Sequence, residues 1–511
     1  MATKSEFEQQ ISGGYAFKGE SIVLGTAIFG GAPQASALVK APLKTFNRHG
    51  LIAGATGTGK TKTFQRIAES LSSHGVPVLL MDVKGDLSGL SQSGLSNPKI
   101  EERHALIGVP WKATPYPVEF LSISGEQGTR LRATVSEFGP VLFSKILELN
   151  DTQAGVVSMV FKYCDDNHLP LLDLKDFKKT VQFLTNEGKA EIEKEYGRVS
   201  TASTGTIIRK VVEIEQEGAA GIFGERSFEV EDLLRIDENG RGYLNVLRLG
   251  DIQSKPKLFS TFMLCLLAEI YQKFPEEGDL EQPKLVLFID EAHLIFKEAS
   301  KALLDQLETI IKLVRSKGVG VFFCTQSPTD IPAPILGQLG MKIQHALRAF
   351  TAQDRKAIKL VAENYPTTAF YDVDEVITSM GIGEAFVTLL NEKGIPTPLA
   401  HTLLCAPESR MDTVTAEELK HSVQRSTIAM KYGEAIDRES AYELLNAKLQ
   451  LASEAAPAAE VRGKIEPSTL EKVVESPIAR QIGRTVAREL TRGLLGVLGV
   501  TGSRSKRSSW F

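Results

Sequence analysis

The sequence predicts an α/β fold with a mainly parallel β-sheet, an inserted helical subdomain and a helical C-terminal tail. Short runs of β-branched and aliphatic residues alternate with longer helical stretches, which is typical of parallel strands joined by helical crossovers. A glycine-rich segment also separates an apolar run from a helical stretch near residue 54. The length of 511 residues exceeds the size at which one hydrophobic core stops growing, so we expect more than one compact domain.

The clearest strand patterns are short apolar runs bounded by polar or glycine-containing segments. They lie at residues 51–53, 76–83, 242–249, 285–290, 319–325 and 343–347. Two further runs, at residues 385–390 and 399–404, predict a terminal hairpin. The run at residues 258–271 predicts a buried helix, because it is shorter than the roughly 20 residues that cross a bilayer.

The spacing of these strands predicts the domain organisation. About 160 residues separate the second strand from Tyr243, far more than the dozen or so that a simple crossover needs. The predicted parts are a short N-terminal segment (1–46), two core segments (47–127 and 219–410) flanking a helical insertion (128–218), a C-terminal helical region (411–450), a linker (451–476) and a basic amphipathic tail (477–511).

The composition is that of an ordinary globular protein, with 42% hydrophobic and 24% charged residues and a formal net charge of -4. Residues 1–10 are polar and acidic, unlike a secretory signal peptide. We therefore expect a cytoplasmic protein without an integral membrane segment. The four cysteines are scattered, which favours reduced structural thiols over zinc ligands or disulfides; they are Cys164, Cys265, Cys324 and Cys405.

The segment from Gly54 to Thr61, which we call the phosphate loop, matches the P-loop pattern in full and lies between a strand and a helix. Glycines let successive backbone amides point into one concavity, and the following helix adds its positive end. Lys60 is expected to reach the β- and γ-phosphates of ATP, and the Thr61 hydroxyl to bind Mg²⁺. The predicted nucleotide-binding residues are Gly54, Ala55, Thr56, Gly57, Thr58, Gly59, Lys60, Thr61 and Lys62.

Two carboxylates, Asp290 and Glu291, follow the apolar run that begins at Leu285. Such a run is typical of a buried parallel strand whose carboxyl end opens on a ligand crevice. Asp290 is predicted to hold Mg²⁺, and Glu291 to polarise the attacking water. The alternative interpretation is that Asp290 and Glu291 lie in a solvated turn or cap a helix. His293 is interpreted as a packed or hydrogen-bonded helix residue.

Three further residues are candidates for catalysis. Gln326 follows the run at 319–325 and is the candidate sensor of the γ-phosphate, the alternative being a surface residue that begins a loop. Arg315 precedes that run and Arg348 follows the next one. Either could be an arginine finger completing a neighbouring subunit's site, where such a charge is worth a factor of about 10³ to 10⁵. The alternative for each is an ordinary surface arginine.

Four motifs, taken in order, resemble those of the HerA/FtsK superfamily, and more narrowly of HerA-like ATPases of the YjgR type. The motifs are Arg48-His49-Gly50, Asp82-Val83-Lys84-Gly85-Asp86, Asp290-Glu291-Ala292-His293 and Thr325-Gln326-Ser327-Pro328. The resemblance covers roughly residues 47–404. It implies a RecA-like core, a glutamate base, a sensor strand ending in glutamine, and a hexameric ring with active sites between subunits. Relatives in the superfamily are mostly motors that pump double-stranded DNA.

The chain departs from HerA itself at the front, where only about 45 residues precede the first core strand, too few for a full N-terminal β-barrel. We therefore do not expect a partner nuclease that would dock on such a barrel.

The basic tail has two rows of residues with a spacing of four. One row is Arg480, Arg484, Arg488 and Arg492, and the other is Ile482, Val486, Leu490 and Leu494. On a helix these rows lie on opposite sides. Such a helix could contact nucleic acid, an anionic membrane surface or a neighbouring subunit, or it could pack locally or stay disordered.

The leading functional hypothesis is an oligomeric ATPase, expected to be hexameric, that couples hydrolysis to movement along DNA. A second hypothesis is a nucleotide-gated assembly or signalling protein that moves no nucleic acid, which the acidic net charge favours. A third is an ATP-dependent pump for protein or conjugative DNA, recruited to a membrane.

Overall fold

The computed structural model describes residues 3–123, 127–251, 255–278, 280–296, 301–349, 351–434, 436 and 438–455. Within them the chain forms two compact units. The sheet unit comprises Met1–Arg130, Glu229–Ala299 and Leu307–Gly433, and the helical unit comprises Leu131–Phe228, Ser300–Gln306 and the described part of Glu434–Phe511. The predicted tail at 477–511 and most of the predicted linker at 451–476 lie outside the described residues.

All strands of the described chain belong to one twelve-stranded sheet in the sheet unit. The strands are β1 (Ser21–Phe29), β2 (Ala32–Pro42), β3 (Gly50–Ala53), β4 (Val78–Asp82), β5 (Val118–Ser122), β6 (Thr129–Arg130), β7 (Leu244–Arg248), β8 (Leu285–Ile289), β9 (Val319–Thr325), β10 (Met341–His345), β11 (Glu384–Thr388) and β12 (Ala400–Leu404). Their spatial order is β2-β1-β12-β11-β10-β3-β9-β8-β4-β7-β5-β6.

From β10 to β6 every neighbouring pair of strands is parallel. The predicted α/β fold with a mainly parallel sheet is therefore confirmed, and each of the eight predicted strands is present within about two residues of its expected bounds. Because the register aligns Ala53 with Thr325 and Phe323 with Ile289, the carboxyl ends of β3, β9 and β8 lie at the same edge of the sheet. The predicted hairpin of β11 and β12 is antiparallel, as expected.

The other end of the sheet is an antiparallel extension that the sequence reasoning missed. The predicted short N-terminal segment, residues 1–46, contains an α-helix and the hairpin of β1 and β2. β1 pairs with β12 and thereby extends the terminal hairpin. Gly25 is required at this contact, because a Cβ would lie 2.0 Å from the Leu403 carbonyl oxygen. Strands β5 and β6 were missed as well.

The helices of the described chain are distributed over the sheet unit and the helical unit. They are α1 (Lys4–Gly14), α2 (Lys60–Ser73), α3 (Pro98–Ile107), α4 (Val135–Ile146), α5 (Asp151–Asp166), α6 (Leu174–Thr185), α7 (Lys189–Glu195), α8 (Thr201–Gln216), α9 (Pro256–Lys273), α10 (His293–Phe296), α11 (Lys301–Val314), α12 (Ala333–Leu336), α13 (Ala352–Ala362), α14 (Val373–Ser379), α15 (Ala416–Arg425), α16 (Thr427–Tyr432) and α17 (Ala441–Ala455). The run predicted as a buried helix lies in α9.

The helical unit has its own aromatic core on α4, α5 and α6. The Phe143 ring lies 4.7 Å from that of Phe177 and 6.0 Å from that of Phe161, measured between centroids. Near the start of α17, the Ala441 amide donates to the Pro170 carbonyl at 2.9 Å. The unit therefore combines helices from the middle of the chain with α17, which follows the sheet in sequence.

Helix α2 is fixed on the sheet by aromatic packing. The Phe64 ring on α2 lies 4.7 Å from that of Phe288 on β8, which in turn lies 5.0 Å from Phe322 on β9. All three side chains are buried. This stack sets the position of the helix that follows the phosphate loop.

The same helix is also tied along its other side to residues 408–411, which follow β12. The Glu69 carboxylate accepts hydrogen bonds from the backbone amides of Glu408 (2.8 Å) and Ser409 (3.0 Å). The Gln65 amide donates to the Ser409 hydroxyl at 2.7 Å, and Lys62 Nζ donates to the Met411 carbonyl. We call this set of contacts the α2 clamp.

None of the helices in the described part of the chain is long and apolar enough to cross a membrane.

We expect Phe288→Ala to lower the free energy of unfolding of the sheet unit by about 3 to 5 kcal/mol, because it leaves a cavity between Phe64 and Phe322. Urea unfolding followed by circular dichroism measures the change. Leu95→Ala is the control, since Leu95 is 82% exposed and its loss should change stability by less than about 0.5 kcal/mol. Equal unfolding midpoints for the two variants would contradict the prediction.

Candidate functional site

The phosphate loop begins at the carboxyl end of β3 and is anchored to both neighbouring strands. The Gly54 amide donates to the Thr325 carbonyl at 3.3 Å, and the Ala55 amide donates to the Ala346 carbonyl at 2.8 Å. These two bonds hold the start of the loop at the edge where β9 and β10 end.

All three glycines of the loop have backbone conformations that other residues rarely adopt, and at two of them a Cβ would also crowd a neighbouring segment. Gly54 has a φ of +152°, and a Cβ there would lie 2.5 Å from His345 Cβ. Gly59, at the N-cap of α2, has a φ of +107°, and its Cβ would lie 3.2 Å from the Gly383 amide nitrogen. The pattern of glycines is therefore required by the curl of the loop and by its close approach to the neighbouring segments.

Lys60 folds back into the loop that precedes it. Its Nζ donates to the Ala55 carbonyl at 3.1 Å, and the Thr58 hydroxyl donates to the same oxygen at 2.7 Å. Burial lowers the pKa of Lys60, and the carboxylates of Asp290 and Glu291 act on it in the opposite direction. When a nucleotide is bound, a phosphate oxygen would replace the Ala55 carbonyl as the acceptor for Lys60 Nζ.

The two residues after Lys60 differ in their surroundings. Thr61 lies in the first turn of α2 and is partly exposed. Lys62 was predicted to bind the nucleotide, but its Nζ donates to the Met411 carbonyl and, at 3.0 Å, to Gln65 Oε1. The structure therefore places the Lys62 ammonium in the α2 clamp.

The acid pair, Asp290 and Glu291, follows β8 directly and is buried. Burial and the neighbouring Glu291 carboxylate raise the pKa of Asp290 to about 6. Asp290 Oδ2 has no hydrogen-bond partner among the residues that the structure describes. A buried carboxylate oxygen without a donor is costly, and a bound cation would relieve that cost.

Glu291 interacts with two basic side chains. Its Oε1 forms an ion pair with Lys84, and its Oε2 lies 3.2 Å from His293 Nδ1. Its backbone φ is +48°, an uncommon value for a non-glycine residue. His293 was interpreted as a packed or hydrogen-bonded helix residue, and the structure places it beside the acid pair.

Lys84 is held by a turn at the end of β4. The Asp82 carboxylate accepts hydrogen bonds from the backbone amides of Gly85 (2.7 Å) and Leu87 (3.1 Å). Burial and the nearby Asp86 raise the pKa of Asp82 to about 7. The sequence indicates that these residues form a motif but predicts no role for them. One sequence feature could have indicated a role for them: they are polar residues directly after a buried strand, as Asp290 is.

A cavity of about 1010 Å³ borders the first half of the phosphate loop. It is lined by Ala55, Thr56, His293, Phe296, Gln326, Ser327, Thr329, Asp330, Pro332, Leu347, Arg348, Asp354, Ala357, Ile358 and Val361. Gln326 is exposed here, directly after β9. The Arg348 guanidinium donates to the Thr378 carbonyl at 3.0 Å. Two predicted catalytic residues therefore share one cavity with the loop of their own chain.

Arg315 lies elsewhere. It is exposed and precedes β9, whereas the phosphate loop lies beyond the other end of that strand. A strand of this length places the two ends roughly 20 Å apart. Arg315 is therefore not brought to the phosphate loop of its own chain.

These residues fit a nucleotide with a divalent cation. The loop offers backbone amides and a buried ammonium for phosphates. Asp290 Oδ2 and the Thr61 hydroxyl are oxygen donors of the type that Mg²⁺ prefers. Lys60, Asp290 and Glu291 are near enough to one another to interact electrostatically.

Solved structures with a similar fold include conjugative and plasmid coupling proteins. The bacterial conjugative coupling protein TrwBΔN70, in an unbound form, is 15% identical, with a TM-score of 0.51 over 80% of this chain and 95% of that chain. TrwB in complex with ADP and Mg²⁺ is 16% identical, with a TM-score of 0.49 over 78% and 99%. VirB4 of Thermoanaerobacter pseudethanolicus is 16% identical, with a TM-score of 0.46 over 76% and 96%.

The likeness to the unbound TrwB structure supports the RecA-like fold and no more, because the sequences have diverged so far. A comparison with curated protein sequences finds no match. The model of the family described as "Helicase HerA-like C-terminal" matches residues 30–467. The resemblance to the HerA/FtsK superfamily is thereby confirmed, while the narrower YjgR-type assignment stays a prediction. The chain belongs to the helicase HerA-like C-terminal family.

Proposed function

We propose that this protein hydrolyses ATP with Mg²⁺ at the phosphate loop and the acid pair. One observation supports the proposal above the others. A buried ammonium, Lys60, and two buried carboxylates, Asp290 and Glu291, interact at the edge of the sheet where the glycine loop begins. Phosphoryl transfer requires little covalent chemistry from a protein, so positioning and charge stabilisation of this kind are the main contributions to catalysis.

Each residue has a distinct role in the proposed reaction. The loop amides and Lys60 hold the phosphates and stabilise the charge that develops on them. Glu291 orients the attacking water, and Gln326 contacts the γ-phosphate. Asp290 and Thr61 would hold Mg²⁺, which when bound neutralises phosphate charge. Water exclusion by the buried surroundings strengthens each of these electrostatic contributions.

We expect Lys60→Ala to lower kcat for ATP hydrolysis by about 100-fold or more, because it removes the ammonium that stabilises the transferring phosphoryl group. Steady-state phosphate release measures the effect, and circular dichroism checks that the fold is intact. Lys99→Ala, on the exposed surface of α3, is the matched control and should keep wild-type turnover. Retained turnover in Lys60→Ala would refute the assignment of the site.

The two candidate arginines have different proposed roles. Arg315 is too distant from the phosphate loop of its own chain to act there, so we propose that it completes the site of a neighbouring subunit in a homo-hexameric ring. Arg348 borders the same cavity as Thr56 and Gln326 of its own chain, so we propose that it acts within its own subunit. The proposal thus gives the two arginines different roles, whereas the sequence alone left both as candidates for an arginine finger.

Mixing inactive subunits tests this division. Rings co-assembled from Lys60→Ala and Arg315→Ala chains should recover about a quarter of wild-type activity, because a site with intact Lys60 then borrows Arg315 from its neighbour. Rings of Lys60→Ala and Arg348→Ala should recover none, since both residues act in one subunit. Phosphate release from co-expressed, doubly tagged assemblies measures the activity of each mixture. Recovery in the second mixture but not in the first would reverse the assignment.

We further propose that hydrolysis is coupled to movement along double-stranded DNA. Membership of the HerA-like family supports this, since the resemblance to the superfamily implies DNA motors. The named function of TrwB in conjugation is a property of that protein. For this chain it suggests which substrate to test first.

Duplex DNA is expected to raise kcat for ATP hydrolysis severalfold at low salt, with an effect that falls as salt rises because phosphate contacts release counterions. Phosphate release over a salt series measures this, and light scattering with and without ATP measures assembly. Rings that form with ATP but neither bind DNA nor respond to it would favour a nucleotide-gated assembly protein. That outcome would remove the motor part of the proposal and leave the ATPase part intact.

A further inference from the structure

Lys84 and Glu291 form an ion pair between two neighbouring strand ends. Lys84 follows β4 by two residues, and Glu291 follows β8 by two residues. The Lys84 side chain is 38% exposed, whereas that of Glu291 is only 6% exposed. The pair therefore joins a buried carboxylate to a cation that can still reach solvent.

The backbone presets this contact. The parallel register aligns Met81 of β4 with Ile289 of β8, so Asp82 and Asp290 are the next residues on their strands. The two amides that donate to Asp82 then fix the turn that carries Lys84. The hydrogen-bonded turn therefore places Lys84 beside Glu291. The ion pair follows from the backbone and does not depend on a chance side-chain rotamer.

The pair also restricts what Glu291 can do. In the sheet order β3-β9-β8-β4, Lys84 follows the strand on the side of β8 that faces away from β3 and the phosphate loop. Oε1 is bound to Lys84, which holds the carboxylate beside the end of β4, while Oε2 lies 3.2 Å from His293 Nδ1 and has no hydrogen-bond partner among the described residues. A carboxylate that orients water needs an oxygen directed at the water, together with its negative charge.

The ion pair can open without unfolding. Lys84 lines a second cavity, of about 770 Å³, together with Gly85, Ser88, Gln127, Arg248, Asp251, Thr413, Val414, Thr415, Ala416 and Leu419. The flexible four-carbon side chain of lysine allows its ammonium to leave Glu291 and be solvated there. Burial alone would lower the pKa of Lys84, but its bond to Glu291 and the Asp290 carboxylate raise that pKa overall.

We propose that Lys84 is a positioning residue that restrains Glu291, and that the pair must open before Glu291 can orient the attacking water. This inference rests on the proposed ATPase function. It assigns a role to a residue of the motif at 82–86, for which the sequence alone predicts none. It also makes the closed pair a resting state of the site.

The test compares steady-state ATP hydrolysis by the full-length wild type and its variants. Lys84→Ala should raise kcat in the absence of DNA about three- to tenfold with little change in KM, because a partly exposed ion pair has a modest strength. Lys84→Arg should keep the wild-type kcat, since a guanidinium can form the same pair. Lys284→Ala is the matched control: it removes a similar ion pair, with Glu277, near the opposite end of β8 and should leave kcat unchanged.

A double variant separates restraint from general disruption. Lys84→Ala should have no effect on turnover in a Glu291→Gln background, because both changes act through the same carboxylate. If Glu291→Gln is inactive but Lys84→Ala is no faster than wild type, the inference fails and the ATPase proposal stands. If Glu291→Gln hydrolyses ATP as fast as wild type, the assignment of the base fails, and the inference fails with it.

Discussion

The parallel register of four neighbouring strands, β3, β9, β8 and β4, is the constraint on which the candidate site depends. It brings the ends of all four to one edge of the sheet, so residues distant in sequence become neighbours there. Shifting any one strand by a single residue would exchange its core-facing and opposite-facing side chains. Because these strands are buried on both faces, such a slip would cost much packing, and the register is correspondingly well specified.

The same edge concentrates charge in a place with little water. Asp82 and Asp290 both have raised pKa values, in each case mainly because of burial, whereas burial lowers the pKa of Lys60. Lys84 offsets part of the negative charge through its bond to Glu291. The site therefore holds an excess of carboxylate that a cation would balance, which is consistent with a role in holding a metal-bound nucleotide.

The sequence predicted the centre of the sheet better than its margins. The central strands are continuous apolar runs, because both of their faces are covered, and such runs are easy to recognise. β1 is interrupted by Gly25, β2 carries prolines and a lysine, and β5 follows a proline-rich segment, so their patterns are weaker. The phosphate loop was found from its local pattern alone. The role of Lys84 depends on which strand lies beside β8, and a single sequence does not contain that information.

The α2 clamp has a mechanical consequence. A helix that starts at the phosphate-binding loop is bonded, through Lys62, Gln65 and Glu69, to the chain segment that leads into α15. Hydrogen bonds of 2.7 to 3.0 Å resist sliding, so α2 cannot move along this segment without breaking them. The start of the helix at the phosphate loop and the approach to α15 are therefore mechanically coupled.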